Sequence, residues 1–89
     1  MKVMVTDPAR DDLLIWARTV DTYPPTDWQE TLARLQQSFG RRYAIRRLPS
    51  FWMAVDRDPD TTTEPTVIEE TVEDLVNTLS DPGPRYGIY

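Results

Sequence analysis

The chain has no cysteine and no histidine. Those two absences exclude disulfides, thiolate and imidazole metal sites, Ser-His-Asp triads and Cys–His dyads. Lysine occurs once, as Lys2, so an amine nucleophile is confined to the very start of the chain. Glycine occurs only at Gly40, Gly83 and Gly87, too sparsely for a phosphate-cradling loop. No apolar run approaches the roughly 18 residues of a membrane span. The opening Met1–Val5, closed by Thr6-Asp7-Pro8, is too short for the apolar part of a signal peptide. These absences lead to an expectation of a cytoplasmic protein with no membrane association and no bound cofactor. A catalyst would have to work with carboxylates, tyrosines and serines alone. The fifteen carboxylates fall in a loop, in helix first turns and on an exposed helix face, where they read as solvated charge. No enzyme is expected, and no catalytic residue is assigned.

What is present is enough for one small folded domain. Of 89 residues, 39% are apolar, including Trp16, Trp28 and Trp52, which is too many for a disordered chain. Residues 1–80 are expected to form a single domain, with 81–89 as a flexible tail holding two prolines and two glycines. Nine arginines against one lysine make the positive charge almost wholly guanidinium, a group suited to planar pairing and stacking. Charge is uneven along the chain: residues 1–55 carry +2 and residues 56–89 carry −7. The acidic second half repels nucleic-acid phosphate and attracts basic partners over a Debye length of about 8 Å in physiological salt.

Periodicity places three helices. In TDPARDDLLIWARTVDTYPP, Asp7 can cap and Pro8 fits the first helical position. Leu13, Trp16, Ala17 and Val20 then share one face, and Pro24-Pro25 ends the segment. In TDWQETLARLQQSFG, Thr26 and Gln29 have capping-box spacing. Trp28, Leu32, Leu35 and Phe39 form its stripe, and Gly40 is the expected left-handed terminator. In ETVEDLVNTLS, Thr71 caps and Val72, Leu75, Val76 and Leu79 supply the buried face.

Between the second and third helices the period changes to two. RRYAIRRLPSFWMAV reads as a hairpin and TVIE as a third strand. The order is helix, helix, three strands, helix: an α+β fold with a three-stranded antiparallel sheet. Loop length decides the hairpin register. A two-residue turn at Pro49-Ser50 pairs 45 with 54. A three-residue turn, Pro49-Ser50-Phe51, pairs 45 with 55 and gathers Tyr43, Ile45, Met53 and Val55 on one face. The second is favoured, and it leaves Arg46 beside Trp52 on the other face, close enough for guanidinium–indole stacking and an ion pair with Asp56.

Two candidate surfaces follow. One is an arginine/tryptophan sheet face of Arg42, Arg46 and Trp52. The other is an acidic strip, Asp56, Asp58, Asp60, Glu70 and Asp74. Asp56, Asp58 and Asp60 also have the D-x-D-x-D spacing that opens a calcium loop, but its sixth and twelfth positions are Thr61 and Val67 rather than glycine and glutamate, so no metal site is assigned. A Trp rimmed by Arg can anchor a protein partner or stack single-stranded nucleic acid.

The spacing of Trp28, Leu32, Leu35, Tyr43, Ile45, Arg46, Arg47, Trp52, Ala54, Val55, Val67, Ile68, Thr71, Leu75 and Leu79, over residues 26–80, resembles that of small α+β proteins of high-GC bacteria. The resemblance implies a fold and no activity. Residues 51–79 are more faintly similar to HicB-type antitoxins, which pair an aromatic-Val strand element with a T-x-x-[DE]-[AL] helix. The Pro-Gly turn of that pattern is missing and two helices precede the hairpin, so no functional residue is carried over. The element order also resembles double-stranded-RNA-binding domains, but Glu69, Glu70, Glu73 and Asp74 stand where a basic cluster would start the last helix. The expected function is therefore a non-catalytic interaction or regulatory module that takes a basic protein partner. Nucleic-acid binding through the Trp52/Arg46 face is the alternative.

Overall fold

The computed structural model of the chain describes residues 8–85. Its elements follow the expected order: α1 (Pro8–Thr22), α2 (Trp28–Phe39), β1 (Tyr43–Arg47), β2 (Trp52–Asp56), β3 (Thr66–Glu69) and α3 (Val72–Ser80). The strands form one antiparallel sheet in the order β1-β2-β3. Helix α2 packs on β1, α3 packs on β3, and α1 lies against α3. The core joins Leu13 and Ala17 of α1, Leu35 of α2, and Val72, Leu75, Val76 and Leu79 of α3 to one face of the sheet.

That face is not the one the sequence favoured. The observed pairs are Tyr43 with Asp56, Ile45 with Ala54 and Arg47 with Trp52, the register of the shorter turn. The Leu48 N–H donates to the Phe51 carbonyl across it at 2.8 Å. Tyr43, Ile45, Trp52, Ala54 and Val67 therefore point inward and are buried, while Met53 and Val55 point outward. The reason lies in β2. Phe51 through Val55 is apolar at every position, so alternation carries no information, and either face could go in. Turning the indole of Trp52 inward buries the largest side chain of the hairpin, and Ala54 beside it leaves room for the helices.

Helix ends show smaller differences. Asp27, not Thr26, caps α2, its carboxylate accepting from the Gln29 N–H at 2.9 Å. Gly40 adopts right-handed backbone angles rather than the expected left-handed ones. A Cβ there would run into the Gln36 carbonyl oxygen, so glycine is needed for close approach and not for a positive φ. Thr71 caps α3 as expected, its hydroxyl accepting from the Asp74 N–H at 3.1 Å. A second cap comes from α1: the two carboxylate oxygens of Asp21 each accept from α3, one from the Val72 N–H and one from the Glu73 N–H, both at 2.9 Å. Two of the orphan donors of α3 are thereby satisfied by a residue about 50 positions away. Asp21→Ala is expected to lower stability by about 1–2 kcal/mol. Urea unfolding checks it: a loss no larger than that of Asp12→Ala, an exposed carboxylate on the same helix, contradicts the assignment.

The chain beyond α3 does not leave the body at residue 81. Pro84 forms a bridge with Thr63, and the Arg85 guanidinium donates to the Pro59 and Thr61 carbonyls at 3.0 and 3.3 Å. Residues 81–85 of the expected tail are thus tied to the loop between β2 and β3. The cap expected at Asp7 and the tail residues Tyr86, Ile88 and Tyr89 lie outside the described residues.

Candidate docking face of the sheet

The register divides the expected site residues among four places. Trp52 is 4% exposed and belongs to the core. Arg46, opposite Met53, points out on the other side of the sheet. The Arg46–Trp52 stack does not form. Instead Arg47, which shares the inward side with Trp52, places its guanidinium 4.8 Å from the indole centroid. The expected arginine/tryptophan face does not form: no single surface holds Arg46 and Trp52, and the expected stacking platform for nucleic acid is absent among the described residues.

Arg42 and Asp56 meet at the end of the sheet where β2 gives way to the loop. The Arg42 Nε donates to the Asp56 carboxylate at 3.3 Å, and its Nη2 donates to the Thr63 hydroxyl at 2.6 Å. The other Asp56 oxygen accepts from the Asp58 N–H, and the Asp58 carboxylate accepts from the Asp60 N–H, both at 2.9 Å. The D-x-D-x-D stretch is thus a pair of consecutive side-chain turns, each aspartate bonding the backbone two residues on. Among the described residues no group of three or more acidic side chains converges as a cation site. Burial pushes the Asp56 carboxyl up, but the Asp58 N–H, the Thr61 hydroxyl and Arg42 together outweigh it and hold the group below its ordinary value. Next to this network Tyr43 is 1% exposed, and its hydroxyl has no partner among the described residues. Burial raises its pKa, partly offset by the nearby Arg42.

The acidic strip is not continuous. Trp52 pairs with Glu69 at one end of the sheet, and Tyr43 with Asp56 at the other. Four residues of strand, about 13 Å, separate those rows. Asp58 and Asp60 lie beyond the second end; Glu70 and Asp74 lie beyond the first. Asp56 is buried and paired, so it offers nothing to a partner.

What the sequence did not single out is the outward side of the sheet. The helices all pack on the inward side, and among the described residues no element covers the other. Its rows are Ala44–Val55–Thr66 and Arg46–Met53–Ile68. Phe51 continues the same alternation at the hairpin end. Val55 is 36% exposed, Phe51 38% and Ile68 52%. Arg46 is the one charged side chain in these two rows, and it has no ion pair or hydrogen bond among the described residues. The signal was present in "FWMAV": a strand apolar at every position has two apolar sides, and a three-stranded sheet with helices on one side covers only one of them.

No family model matches the chain, and neither curated proteins nor solved structures provide a match.

Proposed function

We propose that the protein is a non-catalytic interaction module that docks on another protein through the uncovered side of its sheet. The observation that carries this reading is a contiguous apolar surface, Phe51, Met53, Val55 and Ile68, on a sheet whose helices all lie on the opposite side. Exposed apolar patches of a few hundred Å² or more mark interaction surfaces, and this one stands at the lower edge of that size. Area and charge define the occupant. Three strands of four or five residues present a projected face of only about 240 Å². That is small beside the roughly 800 Å² per partner of a stable complex. The contact is transient, or the partner extends past the sheet. Arg46, the one charged side chain in the two rows of this face, selects a partner segment that sets a carboxylate beside apolar side chains. The basic partner expected from the sequence rested on an acidic strip from Asp56 to Asp74, and the length of β3 sets Asp58 and Asp60 at one end of the sheet and Glu70 and Asp74 at the other.

The test is photo-cross-linking in cells, with a benzophenone amino acid placed in turn at Val55, Ile68 and Asp74. The expected outcome is one discrete adduct from positions 55 and 68, lost in Arg46→Glu. Mass spectrometry of the adduct should show a cross-linked peptide with acidic and apolar side chains. Adducts from position 74 alone, an adduct with a second copy of this chain, or an adduct indifferent to Arg46→Glu each contradicts the reading.

A further inference from the structure

The inward Arg47 borders a cleft that the docking face does not use. The cleft measures about 390 Å³ and opens where the end of α1, the start of α2, the start of α3 and the Arg47–Trp52 row come together. We infer that it binds a small monocarboxylic acid with an aromatic or branched apolar body, the carboxylate on Arg47 and the body against Trp28.

Three features of the lining carry this. The first is the cation. Arg47 is held in place by stacking on the Trp52 ring, yet it forms no ion pair and no hydrogen bond among the described residues. A guanidinium fixed through its flat face keeps its edge N–H groups for a planar acceptor, and a carboxylate matches them in bidentate fashion. The second is the apolar wall. Trp28, on the first turn of α2, is 47% exposed. It was expected in the core stripe of α2, but Thr31 and Leu35 are the buried residues of that helix. Trp28, Pro24, Pro25 and Val20 line the cleft instead. An amphipathic ring beside two rigid prolines is a low-entropy surface for a flat or branched group. The volume falls in the range of small-molecule sites, roughly 300–1,000 Å³.

The third feature limits the charge of the ligand. Asp21 and Glu70 also line the cleft. The Asp21 carboxylate is committed to the Val72 and Glu73 N–H groups, so the α3 start is already neutralised and offers no further anion site. Glu70 is exposed and negative. With Asp21 committed to α3, Arg47 is the one cation of the lining and Glu70 stands near it, so a single carboxylate is matched at Arg47 and a doubly charged phosphate is repelled. A neutral analogue would lose the Arg47 contact and keep only the apolar one.

Titration of the ¹⁵N-labelled protein with 4-phenylbutyrate, and separately with its uncharged amide, tests the inference. The carboxylate is expected to shift the indole N–H signals of Trp28 and Trp52 saturably. The amide should bind at least about tenfold more weakly. Arg47→Gln should abolish that preference, and Trp28→Ala should weaken both compounds by a similar factor. Equal binding of acid and amide to the wild type overturns the inference, whatever the stability of the variants. So does saturation by neither compound up to about 10 mM, roughly tenfold above a millimolar dissociation constant. A preference that survives in a folded Arg47→Gln protein overturns it as well.

Discussion

Replacing Trp52 with alanine is expected to cost about 3–5 kcal/mol of folding free energy, which is the range for deleting a large aromatic side chain from a packed core. The side chain is 4% exposed and shares the inward side of the sheet with Ile45 and Ala54 of the hairpin and Val67 of β3. A domain of this size has a total stability of the same order. The variant should therefore be largely unfolded at 37 °C, with loss of cooperative melting followed by circular dichroism. Had Trp52 lain on an open side of the sheet, alanine would change stability by well under about 1 kcal/mol. The matched control is Val55→Ala: it sits three residues on in the same strand, 36% exposed, and should melt close to the wild type. A Trp52→Ala protein as stable as Val55→Ala contradicts the register.

The second large effect concerns the charged pair at the other end of the sheet. Asp56→Asn keeps the size of the side chain and its acceptor for the Asp58 N–H, but removes the charge facing Arg42. A hydrogen bond to a charged group contributes about 1.5–3 kcal/mol, and a loss of that size is expected at pH 7. The loss has a signature in pH. The folded-state pKa of Asp56 lies below its ordinary value of 3.8. Its stabilisation is then fully present above about pH 3.8 and disappears as pH falls through the lower, folded-state value. Urea unfolding of wild type and Asp56→Asn should differ by a constant amount from pH 7 down to about 4, and the two curves should converge below that. Other carboxylates protonate in both proteins and cancel in the difference. A gap unchanged between pH 7 and pH 2.5 would show that the carboxylate charge is not its source.

The sequence made the elements legible because their signals are local. Thr71, Pro24-Pro25 and the 3.6-residue stripes act within a turn or two of the chain, and all three helices stand where those residues place them. Strand order follows from short connections. The register was not legible, because two alternations had to be joined across a loop whose effective length depends on backbone geometry. In β1 the alternation is clear, with Tyr43 and Ile45 set against Arg42 and Arg46. In β2 it is silent, and a one-residue slip there exchanged Trp52 with Met53 and Val55. The candidate site inherited that slip: Arg46 and Trp52 were joined when they face apart, while Met53 and Val55 were sent to the core. The Asp21 cap and the opening of Trp28 onto a cleft were out of reach for a different reason. Both depend on how α1, α2 and α3 approach one another, and no local pattern records that.

The helices cover the Trp52 side of the sheet and leave the Met53 side free. Solvent paramagnetic relaxation, read on the methyl and indole signals with a soluble gadolinium chelate, tests it in one sample. The two sheet isoleucines make an internal pair, Ile45 at 4% and Ile68 at 52% exposure. Strong relaxation of the Ile68, Val55 and Met53 methyls is expected, with the Ile45 methyl and the Trp52 indole spared. Relaxation of Trp52 together with protection of Met53 and Val55 would contradict it, and the proposed docking face would fall with the register.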